Sequence, residues 1–408
     1  MAGNHFVASI DIGTEKIALL VAEKDDDDHL RIIGHNVCSS KGVRRGSIFS
    51  IDSLSRQITK LIQQTQESFG VDLALFRVNI SDTHLTCIDG KGKVPVNEFV
   101  SSEDLESVLE SAMAISTPTN KEKLHIITKK FTINESVVVD NPMDMEAQVL
   151  ESKVHIVTVS SSSVRNVENC LKQSNLEVDK IVLNSIAKSQ AVLTQEEKNG
   201  GICLLDIGAG VTSYSVFQEE GIVHSGIIKM GGDEVTQEIA YAFDTSLEEA
   251  KRLKESYGFA KSISQSEDQF IDFTQGSKKQ HQLSSLDLSE VVEEAYLEIF
   301  QALKNELKHH NLDTIIKSGF VLCGGGCEIK SIEELVRGYF SKRVKIGKIQ
   351  RSRISGLESL LTDYKYTGSI GLLLHEGDLS KAKFIVSNGV NGVMGKLKKK
   401  NIKSLNKP

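Results

Sequence analysis

Two short stretches hold the residues best suited to chemistry. SIDIGTEKIALLV lies near the N-terminus, and LLDIGAGVTSYSV places Asp206 195 residues after Asp11. Each reads as an apolar strand, Asp-Ile-Gly, a small or polar turn, and a second apolar strand, so a strand–turn–strand unit is duplicated within the chain. A turn without large side chains lets backbone N–H groups approach phosphate oxygens. Gly13 and Thr14 offer this in the first turn, and Gly208, Ala209, Gly210 and Thr212 in the second. Facing each other, the turns would clamp a polyphosphate from both sides. Asp11 and Asp206, at the strand ends, are candidates to hold Mg²⁺, mainly through its waters, because that ion dehydrates reluctantly. Lys16 adds a point charge for a β- or γ-phosphate. Gly324, Gly325 and Gly326, between a strand pattern and a helix pattern, offer a flat backbone surface for a nucleobase or ribose. Any one of these alone is commonly a tight turn or a helix start. Their joint occurrence in one chain with a duplicated core points to a nucleotide.

The elements that must position these residues are legible as patterns. Residues 52–69 carry Leu54, Ile58, Leu61 and Ile62 at helical spacing after an Asp cap. FRVNISDTHLTCID, at 76–89, reads as a strand. In SSEDLESVLESAM, Ser101 and Asp104 fit a capping box, and Leu105, Val108, Leu109 and Ala112 form one face. Strand-like runs flank NPMD at 141–144, so residues 84–160 read as a small inserted α+β module, or else as a continuation of the first domain. Residues 246–310 read as largely helical and charged, around a polar Ser/Gln-rich stretch at 262–285. GFVLCGGGCEIKSIEELV then runs strand, Gly-rich turn, helix.

Bulk properties bound the possibilities. A chain of 408 residues suggests two or more domains, and 39% hydrophobic with 25% charged residues is ordinary for a soluble globular protein. No apolar run approaches the roughly 18 residues of a spanning helix, and MAGNHFVASIDIG lacks the features of a signal peptide. The six cysteines form no CxxC pair, and no histidine near Cys323 and Cys327 completes a zinc site; scattered, apolar-flanked cysteines suit a reducing cytosol. Residues 379–408 hold eight lysines and no acid, whereas the other 378 residues carry 40 basic and 55 acidic side chains. The acidic body argues against general nucleic-acid binding. On a helix, Val390, Val393, Met394 and Leu397 lie within about 60° of one line, with Lys396, Lys399 and Lys403 off it. From these residues alone the tail is a disordered basic end, a membrane foot or an arm for another partner.

The order of motifs, at residues 7–21, 182–194, 202–217, 319–334 and 366–374, resembles the phosphate-1, connect-1, phosphate-2, adenosine and connect-2 series of the actin-like ATPase superfamily. The module at 84–160, the segment GGDEVTQEIAYAF, its spacing to GGGCEIKSIEELV, and YTGSIGLLL resemble the FtsA family of bacterial cell-division proteins over nearly the whole chain. The resemblance implies an α/β actin-like (ribonuclease H-like, duplicated) fold with two lobes around a nucleotide cleft, an inserted subdomain and a C-terminal amphipathic helix. By this resemblance subdomain 1A would take 1–83, 163–190 and 368–375, and 1C would take 84–162. Subdomain 2A would take 191–245 and 311–367, 2B would take 246–310, the linker 376–388 and the tail 389–408. It implies ATP and Mg²⁺ as ligands, with Gly231, Gly232 and Lys254 joining Gly324 to Gly326 around the adenosine. It also implies a peripheral protein on the cytoplasmic face of the inner membrane at the division site, polymerising, and holding the C-terminal peptide of the tubulin-like protein FtsZ on 246–310. The inserted module would meet neighbouring protomers or later division proteins.

The chain departs from the family pattern. Ala209, Val211 and Ser213 stand where the family has Gly, Thr and Asp. Asn184 stands where other superfamily members place a Glu or Gln that orients the attacking water, which implies slow or undetectable hydrolysis. Lys251 replaces a family Glu in the adenosine helix, and Ala295 replaces an Arg expected near the partner-binding face. The competing readings are a pilus-assembly platform of the same fold, which normally lacks the lysine tail, and a sugar kinase or chaperone-type ATPase. A kinase needs a carboxylate base beside an acceptor pocket and larger inserts, neither of which is evident.

Overall fold

Apolar runs interrupted by Asp-Ile-Gly fold as antiparallel hairpins. In a computed structural model, which describes residues 5–25, 27–70, 75–219, 221–264, 268–276 and 279–375, His5–Ile12 pairs with Lys16–Lys24. Ile202–Ile207 pairs in the same way with Thr212–Gln218. The last pairs are Ile12 with Ile17 and Ile207 with Thr212, so four residues form each turn. Asp11 lies opposite Ala18, and Asp206 lies opposite Ser213, at equivalent places in the two registers.

Each hairpin sits within a larger sheet. One runs Glu177–Leu183, Leu75–Ile80, His5–Ile12, Lys16–Lys24, Leu30–Ser39 and the short Ile354–Ser355. The other runs Val344–Ile346, Gly319–Cys323, Ile202–Ile207, Thr212–Gln218 and Gly221–Ile228. Both place two parallel strands beside the first hairpin strand. The duplication seen in the motifs therefore extends to strand order. Ile202–Ile207 is buried at every residue, including Asp206, as its continuous apolar run requires of a central strand. Helices Asn184–Val192 and Thr367–Leu374, both short and buried along most of their length, pack against each other beneath the hairpins.

The chain forms two compact units, and both hairpins lie in the larger, which takes residues up to Leu85, then Ser161–Glu219 and His224–His375. The smaller unit is centred on Thr86–Ser160. Its antiparallel strands run Thr86–Pro95, Val149–Ser160, Lys121–Ile133 and Val137–Val139. Helix Ser102–Met113 begins at the expected capping box of Ser101 and Asp104, and it buries Leu105, Val108, Leu109 and Ala112 against Leu150, Val154 and Ile156.

Four expectations change. The first long helix, Ile51–Phe69, is capped by Ser50, whose hydroxyl accepts from the Ser53 N–H; Asp52 lies inside its first turn. Residues 76–89 are two strands' worth of chain, split by a turn in which Asp82 accepts from the His84 N–H. The polar stretch within 262–285 contains a hairpin, Phe270–Gln275 with Lys279–Ser284, because Ile271, Phe273 and Leu283 alternate into a core. Ala295 is buried on helix Ser285–His309, so it lies in the core rather than on an exposed face. Among the described residues no helix is long and apolar enough to cross a membrane. Val390, Val393, Met394, Lys396, Leu397, Lys399 and Lys403, with the expected linker, lie outside the described residues.

Candidate nucleotide site

The two turns are closed alike. Gly13 N–H donates to Lys16 O at 2.9 Å, and Gly208 N–H donates to Val211 O at 3.0 Å. Those two N–H groups, expected to face phosphate, are therefore spent on holding the turns. The N–H groups of Thr14, Glu15, Ala209 and Gly210 make no hydrogen bond among the described residues, which leaves them for an oxyanion. The turns do face each other: a Cβ added at Gly210 would lie 2.9 Å from Thr14 Oγ1. Thr14 Oγ1 accepts from the Gly46 N–H at 3.1 Å. Thr212 Oγ1 is buried and has no hydrogen-bond partner among the described residues, so a polar ligand would satisfy it.

Between the turns lies a buried network joining the two duplicated aspartates. Asn79 Nδ2 donates to Asp11 Oδ1 at 2.5 Å and is 3.3 Å from Asn184 Oδ1. Asn184 Nδ2 donates to Asp206 Oδ2 at 2.9 Å. Ser213 Oγ donates to the same oxygen at 3.1 Å, and Lys188 Nζ donates to Asp206 Oδ1 at 2.6 Å. Helix Asn184–Val192 presents Asn184 and Lys188 one turn apart, so both reach the same carboxylate. Burial raises the Asp11 pKa, opposed by Lys188 and Lys16. Burial opposes the charge on Lys188, but Asp206 and Asp11 outweigh it and hold the ammonium above its ordinary range. Lys16 is pushed down to about 8, by burial first, with Asp11 working the other way.

Glycine is required at two places around this network. Gly324 has φ +88°, and a Cβ there would meet Asp206 Oδ1 and the Ile207 carbonyl. A Cβ at Gly368, in the first turn of helix Thr367–Leu374, would run into the Asp11 carboxylate.

The expected adenosine residues also gather. Gly232 N–H donates to Gly208 O at 2.9 Å, and Asp233 N–H donates to Ala209 O at 2.8 Å, docking helix Gly232–Ala242 on the second turn. Gly231 N–H donates to Glu234 Oε2 at 2.8 Å. Lys254 Nζ donates to Gly232 O and to Thr236 Oγ1, each at 2.7 Å, and burial lowers its pKa. Ala260 N–H donates to Lys330 O at 2.8 Å, tying the chain just beyond helix Leu247–Tyr257, which carries Lys254, to the chain after Gly326. Tyr296 OH donates to Gly326 O at 2.8 Å, while Gly325 is exposed with open space around it. Two ion pairs reach the helices beyond the second hairpin: Lys251 pairs with Glu15 of the first turn, and Glu234 pairs with Arg45, which follows strand Val43–Arg44, at 2.9 Å. Lys251 thus has a partner in the first turn.

The expected Mg²⁺ does not suit Asp206, whereas Asp11 Oδ2 accepts no hydrogen bond among the described residues. Both Asp206 oxygens are already engaged, one by an ammonium group, and an ion approaching that carboxylate would meet the positive charge of Lys188.

The model of the family described as cell division protein FtsA matches residues 203–371, and that of the SHS2 domain inserted in FtsA matches residues 83–158. Cell division protein FtsA of Pseudomonas aeruginosa is 32% identical over 388 residues, covering 95% of this chain and 92% of that protein. The chain belongs to the FtsA family of cell-division proteins. FtsA of Escherichia coli K12 is 28% identical over 381 residues, covering 90% of this chain and 89% of that protein. Among solved structures, the PilM–PilN type IV pilus biogenesis complex aligns with TM-score 0.63 at 14% identity, over 90% of this chain and 97% of that one. MreB5 of Spiroplasma citri bound to ADP aligns with TM-score 0.55 at 13% identity, over 96% and 98%. At such identities these two share the fold, which is actin-like as expected, with the FtsA family's SHS2 insertion in place of a continued first domain.

Sequence reasoning missed Asn79 and Lys188. Asn79 is the penultimate residue of strand Leu75–Ile80, where a lone amide in a mixed run carries no motif. Lys188 had a signal. In NSIAKSQAV every other residue is small, apolar or uncharged, and a run buried from Ser185 to Ser189 has no solvated face for a lysine.

Proposed function

We propose that this FtsA-family chain binds ATP between its two Asp-Ile-Gly turns and acts as a polymerising adaptor on the cytoplasmic face of the inner membrane. There it links the FtsZ ring to the bilayer and recruits later division proteins. The observation that carries the nucleotide reading is the facing pair of turns, each with two N–H groups left without a partner. Nucleotide serves chiefly as a structural and assembly ligand. Asn184 is bound on both sides, by Asn79 and Asp206, and an amide is no base, so hydrolysis is slow. In this reading Gly231, Gly232, Lys254 and Gly324 to Gly326 hold the adenosine. Residues 246–310 receive the FtsZ C-terminal peptide, and residues 84–162 meet other protomers or later division proteins.

The membrane attachment is assigned to the tail, where Val390, Val393, Met394 and Leu397 supply an apolar face and Lys396, Lys399 and Lys403 the attraction to an anionic leaflet. Calorimetric titration of the full chain with ATP tests the first claim; absence of binding removes it. Co-sedimentation with anionic vesicles, comparing the full chain with a truncation after Leu379, tests the second. Equal sedimentation of both forms would sink it. Capture by an immobilised FtsZ C-terminal peptide, lost on replacing 246–310 surface residues, tests the third.

A further inference from the structure

A polyphosphate site normally needs a cation, and this one contains its own. Asp11 and Asp206 are both buried, 7% and 2% exposed, and two like charges in one desolvated site require compensation. Lys188, 8% exposed, supplies it from within the fold, donating to Asp206 Oδ1 at 2.6 Å. The other Asp206 oxygen is taken by Asn184 and Ser213, and Asp11 Oδ1 is taken by Asn79. Three of the four carboxylate oxygens that would attract a hydrated divalent ion are therefore already hydrogen-bonded, and a fixed positive charge stands at Asp206. Lys16, on the first turn, adds a second cation within the electrostatic reach of Asp11. Two carboxylates and two ammonium groups leave the site near neutral before any ligand enters, so a polyanion is not repelled by uncompensated acids.

We propose that Lys188 is a built-in counter-cation which lets this site take ATP without a divalent metal, and that Mg²⁺ adds little to the affinity. This rests on the nucleotide reading given above. It also gives a physical sense to Ser213, which hydrogen-bonds Asp206 without adding a third negative charge to a site that holds only one buried lysine beside that carboxylate.

The test is ATP binding to the full chain, measured calorimetrically in Mg²⁺ and in EDTA. Wild type is expected to differ by less than about threefold between the two conditions. Lys188→Met, which keeps length and removes charge, is expected to lose at least about tenfold in EDTA and to regain affinity when Mg²⁺ is added. Lys188→Arg keeps the charge and should bind in EDTA nearly as wild type does. Binding of wild type only with Mg²⁺ overturns this inference and leaves the nucleotide reading standing. No binding in either condition overturns both. Equal metal dependence of wild type and Lys188→Met overturns the role of the lysine. If Lys188→Met fails to fold, the wild-type comparison in EDTA decides the metal requirement and Lys188→Arg against Lys188→Gln decides the charge.

Discussion

Lys16 carries the clearest pH signature. Its folded pKa, about 8, lies below the ordinary lysine value of 10.5. Below about 8 it is charged in both folded and unfolded chains, and the cost of burying that charge is fully present. Between the two values the folded protein has shed a proton that the unfolded chain keeps, so stability rises with pH across that window. The ligand works in the opposite sense, because a phosphate prefers the charged amine. ATP affinity should be level below pH 8 and fall above it, by up to about tenfold per pH unit, with Lys16→Met flattening the profile. Calorimetry across pH 7 to 10 reads both limbs. Asn79 offers a second residue-scale prediction. Replacing it with Ala strips hydrogen bonds from the buried Asp11 carboxylate and from the Ile12 N–H, so urea denaturation should show a loss of about 2–4 kcal/mol. At this scale the sequence was half informative. Asp11, Asp206, Thr14 and Gly210 were identifiable because their motifs repeat. Asn79 and Lys188 do not repeat, and their importance comes from burial, which only the packed helices and strands define.

At the scale of elements, caps and turns were more legible than polar strands. Ser101 and Asp104 close helix Ser102–Met113 reciprocally, Asp104 accepting from the Ser101 N–H at 2.9 Å. Ser101→Ala should cost about 1 kcal/mol, and the loss should appear as faster amide exchange in the first turn of that helix. By contrast, the hairpin Phe270–Gln275 with Lys279–Ser284 was hidden in a polar stretch, since Ile271, Phe273 and Leu283 point inward while Asp272, Thr274, Gln280 and Gln282 are exposed. Helix Thr367–Leu374 shows the converse: its apolar sequence gave its burial, but not the reason for Gly368, whose bare Cα gives the Asp11 carboxylate room. Gly368→Val should therefore depress soluble yield and melting temperature together, whereas Gly338→Ala, inside helix Ile332–Phe340 with no atom within 4 Å of the added carbon, should leave yield intact and raise the melting temperature slightly.

For the whole molecule, the proposed assembly and membrane functions depend on many weak contacts acting together. The ion pairs Lys251–Glu15 and Arg45–Glu234 involve partly exposed side chains, so each contributes little at physiological salt. Likewise, a tail with Val390, Val393, Met394 and Leu397 on one face and six lysines within 389–408 would bind one vesicle site weakly and many sites well when carried on a filament. Sedimentation with anionic vesicles should thus rise steeply with protein concentration and fall with added salt. The duplicated hairpins have a further consequence for how this chain can change over time. Side chains alternate across a strand, and the Asp-bearing strands are held by parallel neighbours, so inserting or deleting a single residue in either four-residue turn would shift the second strand and swing Ala18 or Ser213 away from its aspartate. The identities of Glu15 or Val211 can drift, but the lengths of those two turns act as matched gauges. Length variation between descendants of this sequence should accumulate elsewhere and spare residues 13–16 and 208–211.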